Sequence, residues 1–153
     1  MEAAVRVLLV EDEAPLRRSL TKFLERAGYA FDSCATVRDA LVRAENDAYD
    51  IVITEYRLPD QNGTELLKRL KQTLPEIESI IIAEYDHQVV AEALNRAGVK
   101  TYLKKPFDVA DLEAALSSAG SKVADSFKNF DWTQALNYDD VPASFRAGEL
   151  SEH

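Results

Sequence analysis

A chain of 153 residues, 46% of them hydrophobic, with a formal net charge of −9, is long enough for one domain that buries roughly 70% of its unfolded surface. The acidic balance, with Lys and Arg interleaved among Asp and Glu and no basic cluster on a predicted helix face, argues against a general binder of nucleic acid or of a membrane surface. The single cysteine, Cys34, permits no internal disulfide and suits a reducing cytoplasm, while the opening MEAAVRVLLVEDE and the lack of any apolar run of about 18 residues predict neither signal peptide nor membrane span.

Along the chain, short apolar runs alternate five times with segments of helical period. VRVLLV (5–10) has the β-branched, uninterrupted apolar character of a strand covered on both faces. A helix over 15–27 follows, with Leu16, Leu20, Phe23 and Leu24 on one stripe and Gly28 as its stop. YAFDSCA (29–35) alternates weakly, as a strand nearer the sheet edge does, and Cys34 reads as one of its small core residues. Thr36 is placed to cap a helix running to about residue 45. DIVIT (50–54) is the third strand, a helix over 63–74 ends before Pro75, and SIIIA (79–83) is the fourth strand. A helix over 87–97 closes at Gly98, KTYLK (100–104) is the fifth strand, and Asp108 caps a last helix through Leu112 and Leu116. Strict β-then-α order predicts a doubly wound α/β fold with a parallel sheet and helices on both faces. In such sheets the site lies at the carboxyl ends of the strands, near the topological switch point.

Those ends carry Glu11 and Asp12 after the first strand, Glu55 after the third, Ala83 and Glu84 after the fourth, and Lys105 after the fifth. Three carboxylates faced by a lysine suit a hard divalent cation such as Mg²⁺, which takes oxygen ligands. Taken alone, the EDE of 11–13 reads as acids favouring the next helix N-terminus, and Lys105 as a surface charge. Their joint position is what points to a site. The five glycines are dispersed, so no phosphate-cradling loop is present, and His87 is the only histidine before the terminal His153.

The pieces LLVEDE (8–13), DIVITEYRLPDQNG (50–63) and RAGVKTYLKKPF (96–107), with the helix pattern between them, resemble the receiver domain of two-component response regulators across about residues 4 to 120. The resemblance implies a flavodoxin-like (βα)5 fold with strand order 2-1-3-4-5. It implies that Glu11 and Asp12 hold Mg²⁺ together with the acceptor carboxylate and the backbone carbonyl of Arg57. It gives Lys105 the role of pairing with a phosphoryl group, makes Lys105–Pro106 a candidate cis bond, and makes Tyr102 a switch aromatic that turns inward on activation. It also assigns Leu58, Pro59, Asn62 and Gly63 to the loop that shapes the acceptor. The expected partners are a histidine kinase or a downstream effector, or a second copy of the chain. All would meet the face made by the fourth helix, fifth strand and fifth helix. The bland reading of Tyr102 is packing of an aromatic near the end of an edge strand.

The sequence departs from the family where the chemistry happens. Glu55 stands where the family has Asp, Ala83 where it has a switch Thr or Ser, and Glu84 where a small residue is usual. Glu carries its carboxylate outward by roughly 1.5 Å, and a displacement near 1 Å can lower an in-line transfer on the order of 10²-fold. Ala83 lacks the hydroxyl that would bias an active state, and a switch needs such a differential interaction. The expectation is therefore a degenerate receiver, not an enzyme, working by protein–protein interaction with no required cofactor and at most weak Mg²⁺ binding. Glu55 would pair with Lys105, imitating a phosphorylated Asp or holding an inactive state. The alternatives are a conventional Mg²⁺-dependent phospho-accepting receiver with a rebuilt site, and a regulator carrying an engineered Asp-to-Glu mimic. Ala83 and Glu84 argue against the mimic. A doubly wound hydrolase would need a catalytic acid two residues after the nucleophile, where Arg57 stands. Residues 121–153 form a separate tail with six acids, three bases and five aromatics (Phe127, Phe130, Trp132, Tyr138 and Phe145). Its charge and length do not suit DNA binding; it reads as a docking segment or as a linker to an output domain.

Overall fold

The computed structural model describes residues 5–120, so the expectations placed on the tail lie outside the described residues. The elements run β1 (Arg6–Val10), α1 (Ala14–Arg26), β2 (Ala30–Cys34), α2 (Val37–Asn46), β3 (Ile51–Glu55), α3 (Gly63–Thr73), β4 (Glu78–Ala83), α4 (His87–Arg96), β5 (Thr101–Lys104) and α5 (Val109–Ala119). The five strands form one parallel sheet in the order β2-β1-β3-β4-β5, the doubly wound, flavodoxin-like arrangement expected from the sequence.

The period-2 geometry of a strand splits each apolar run between two cores. Val7 and Leu9 of β1, Ile51 and Ile53 of β3, and Ile80 and Ile82 of β4 join Leu16, Leu20, Phe23 and Leu24 of α1 and Leu112 and Leu116 of α5. Leu8, Val10, Val52 and Ile81 face the other way, toward Leu66, Leu67 and Leu70 of α3 and Val90 and Leu94 of α4. All five residues of β3 are buried, whereas β2 buries only Cys34. This is the contrast between a central and an edge strand.

Local chemistry sets the helix ends. After α1, Gly28 at φ +88° lets the Gly28 and Tyr29 N–H groups donate to the carbonyls of Glu25 and Leu24. Gly98 at φ +74° does the same after α4, with Gly98 and Val99 donating to Asn95 and Leu94. Both are Schellman turns, in which a left-handed residue satisfies the last helix carbonyls. Asp108 and Asp111 form a reciprocal capping box at α5. Among the described residues no helix is long and apolar enough to cross a membrane.

Candidate functional site

The order β2-β1-β3 places the switch point between β1 and β3, whose register pairs Val10 with Thr54. The next residues, Glu11 and Glu55, therefore emerge side by side at the carboxyl edge. Glu11 is fully buried and Glu55 is 7% exposed, while Asp12 is exposed. One carboxylate oxygen of each of the three lies within 4.8 Å of the others. Lys105 reaches them from the end of β5; its backbone N–H donates to the Ala83 carbonyl at 2.7 Å, and the Lys105–Pro106 peptide is cis.

Glu55 is fully engaged. Its Oε1 lies 2.5 Å from Lys105 Nζ, and its Oε2 accepts the backbone N–H groups of Tyr56 at 2.8 Å and Arg57 at 3.3 Å. Charge-assisted bonds of this kind are short and hold a carboxylate in one orientation. Glu11 is less well served. The Glu13 N–H donates to its Oε2 at 3.1 Å. Its Oε1 faces Lys105 Nζ at 3.4 Å, near enough for attraction but without a hydrogen bond. Burial therefore pushes the Glu11 carboxyl up to about 7, against the attraction of Lys105 and the Glu13 N–H, with repulsion from Glu55 and Asp12 adding to the rise. Burial disfavours the Lys105 charge as well. Its bond to Glu55 and the negative fields of Glu11 and Glu55 outweigh that, so its pKa is raised.

The pocket over these groups is lined by Glu11, Asp12, Glu55, Arg57, Glu84 and Lys105, joined by Glu13, Leu58, Pro59 and Tyr85. Ala83 is wholly buried at the end of β4 and offers only a methyl group, whereas Glu84 is exposed at the pocket mouth. Tyr102 does not line this pocket; burial raises its pKa, and the charges of Glu55 and Asp86 add to the rise. It is half-buried against the second core, donates its hydroxyl to the Tyr85 carbonyl and meets the His87 ring edge-on at 5.5 Å. The structure thus gathers Glu11, Asp12, Glu55, Arg57, Glu84 and Lys105 into one pocket and sets Tyr102 on the neighbouring face. Leu58 and Pro59 belong to the loop that the resemblance assigned to the acceptor, whereas Glu13 and Tyr85 were not singled out as lining residues from the sequence; no spacing rule marks them.

The loop after β3 is held at two points. The Gly63 N–H donates to the Tyr56 carbonyl at 2.7 Å, and a Cβ at residue 63 would stand 2.4 Å from the Glu55 carbonyl oxygen. Asp60 reaches from this loop to the start of α2, accepting the N–H groups of Val37 at 3.0 Å and Arg38 at 2.9 Å. Thr36 Oγ1 accepts that of Asp39 at 3.0 Å.

The molecule is a doubly wound α/β domain with an acid-and-lysine pocket at its topological switch point. The pattern of the response regulator receiver domain family matches residues 7–117, and the chain belongs to that family. Among its relatives, the KDP operon transcriptional regulatory protein KdpE of Escherichia coli (strain K12) is 34% identical over 113 residues, covering 74% of this chain and 50% of that protein. The photosynthetic apparatus regulatory protein RegA of Rhodovulum sulfidophilum is 31% identical over 116 residues, covering 74% and 62%. The crystal structure of a CheY-like receiver domain protein from Methanospirillum hungatei JF-1 superposes with a TM-score of 0.73 at 27% identity, covering 78% of this chain and 96% of that one. The matched part amounts to 64% of one curated relative and 24% of another. The chain is thus a receiver domain of the two-component response-regulator class, a class of signalling domains.

Proposed function

We propose that this receiver signals without accepting a phosphoryl group, by presenting a fixed surface to a protein partner. The observation that carries the reading is the 2.5 Å contact between Glu55 and Lys105. The lysine that would meet a phosphoryl group already has a resident carboxylate, and the other oxygen of that carboxylate is taken by two backbone N–H groups. The position of Tyr102, half-buried with its hydroxyl bonded to the Tyr85 carbonyl, agrees with an active-like state held by Glu55. The partner is a histidine kinase, a downstream effector or a second copy of the chain, meeting the face built by α4, β5 and α5. Residues 121–153 are then a tail outside the receiver domain.

The acidic pocket supports a second, narrower reading. Glu11, Asp12 and Glu55 offer hard oxygen donors, and buried Glu11 Oε1 lacks a hydrogen-bond partner. These residues fit a Mg²⁺ ion in kind, with the backbone carbonyl of Arg57 as a further ligand. Bound there, the ion would supply positive charge beside the carboxylates. Because Glu55 is held by Lys105 and by two backbone N–H groups, binding is weak and not required for signalling.

The test is an amide NMR titration of the whole chain with Mg²⁺ and then beryllofluoride, together with intact mass after incubation with acetyl phosphate. The expected result is no covalent phosphoryl adduct and no beryllofluoride-dependent shift at Glu55, Ala83 or Tyr102. A saturable shift at those residues, or an adduct on the unmodified chain, would overturn the reading.

A further inference from the structure

A continuous row of side chains leads from the pocket to the α4–β5 face. At one end Glu55 Oε2 holds the backbone N–H groups of Tyr56 and Arg57. The Arg57 guanidinium lies 5.6 Å from the centroid of the Tyr85 ring, within the range of a cation–π contact, and Tyr56 meets the same ring edge-on at 6.0 Å and 80°. The Tyr85 carbonyl in turn accepts the Tyr102 hydroxyl, and the Tyr102 ring meets that of His87 at 5.5 Å and 67°. Ala83, two residues before Tyr85, has no polar side-chain atom with which to link the pocket to this face.

We propose that Tyr85 is the positioning residue that couples the Glu55 pocket to the α4–β5 face, in place of the hydroxyl that Ala83 lacks. The proposal rests on reading Glu55 as the resident carboxylate of the pocket. Tyr85 is suited to the task because its ring and its backbone answer to different neighbours. The ring is gripped by Arg57 and Tyr56, whose N–H groups Glu55 fixes, while its carbonyl sets where the Tyr102 hydroxyl rests. A displacement of the ring that is not absorbed by rotation about its side-chain torsions moves the Tyr85 Cα, and with it the carbonyl. Coupling is read as the effect of a change at one site on the other.

His87 is a convenient reporter. The chain has only two histidines, and the His87 imidazole feels the ring current of Tyr102. The experiment is a carbon-detected histidine NMR spectrum of the full chain, in the parent and with Glu55→Gln, each in three backgrounds: Tyr85, Tyr85→Phe and Tyr85→Ala. The expected result is that Glu55→Gln moves the His87 signal in the Tyr85 and Tyr85→Phe backgrounds and leaves it still in Tyr85→Ala. Should Tyr85→Ala not fold, Arg57→Ala removes the stacking cation from an exposed position and is expected to abolish the response equally. An equal response to Glu55→Gln in every background would overturn the coupling role while leaving Glu55 as the pocket's carboxylate. A silent His87 in every background, with the Lys105 amide responding to Glu55→Gln, would also overturn it. No phosphodonor enters this measurement, so its failure is distinct from a failure in the beryllofluoride test.

Discussion

Glu55 is longer than Asp by one methylene, and both of its carboxylate oxygens are engaged. It carries the carboxylate to Lys105 at 2.5 Å while the second oxygen turns back onto its own loop. Glu55→Asp withdraws the group by roughly 1.5 Å and leaves Glu11, Asp12 and Lys105 in place. The expected outcome is a gain: slow formation of an acyl phosphate from acetyl phosphate in Mg²⁺, seen by intact mass in the variant and not in the parent. Ala83 remains without a hydroxyl, so the phosphorylated variant is expected to show only small changes in the amide spectrum of the α4–β5 face. The acids and the lysine were legible in the sequence because they stand at or just after the carboxyl ends of the strands, while residues 55 and 83 stood out only against the pattern of the family the sequence resembles. Tyr85 was not legible. Its importance comes from where its ring and carbonyl point, which no alternation of residue types encodes.

Among the elements, the loop from β3 to α3 shows how backbone constraints hold the pocket's floor. Helix propensity alone would favour alanine over glycine at residue 63, the first residue of α3. The Glu55 carbonyl 2.4 Å from a virtual Cβ reverses that preference, because backbone cannot step aside as a flexible side chain can. Gly63→Ala is expected to destabilise the fold by about 1–3 kcal/mol, the usual cost of forcing extra volume into a packed site, measured by urea unfolding. Asp60 on the same loop caps α2 from outside that helix. Slight burial opposes its charge, and the surrounding backbone N–H groups, Val37 and Arg38 first among them, hold its pKa below the ordinary value. Removing such a cap costs about 1 kcal/mol, so Asp60→Ala is expected to lower stability by that much and to speed amide exchange in the first turn of α2 while α5 is unaffected. Thr36 was readable as the α2 cap because it adjoins the helix. Asp60 was not, since a cap supplied 23 residues away leaves no local signature. The helix stops at Gly28 and Gly98 and the parallel, doubly wound sheet were legible because glycine chemistry and β-then-α alternation are local and strongly periodic, whereas the strand order came from the resemblance to the receiver family.

For the whole molecule, the buried acid beside the pocket ties folding to pH. Glu11 titrates at about 7 in the folded chain against an ordinary value of 4.5, chiefly through burial. Between those values the folded state keeps a proton that the unfolded state has released, so stability falls as pH rises. The contribution is fully present below 4.5, lost progressively up to about 7, and flat beyond. The full shift corresponds to a difference on the order of 3 kcal/mol. Asp60 works with the opposite sign: its pKa is lowered, so its contribution is lost as pH falls through the acid range below 3.8, outside the Glu11 window. Urea midpoints at about pH 5 and about pH 8 separate the two. The parent is expected to be less stable at the higher pH, and Glu11→Gln, which keeps the shape of the protonated acid, is expected to flatten that difference. A parent whose midpoint does not fall between the two pH values would mean that Lys105 holds Glu11 ionised throughout. The acidic trio would then be fully charged across the neutral range and Mg²⁺ binding would not vary with pH there. With Glu11 titrating at about 7 instead, Mg²⁺ competes with a proton for that carboxylate, and its affinity is expected to rise across the same interval in which stability falls.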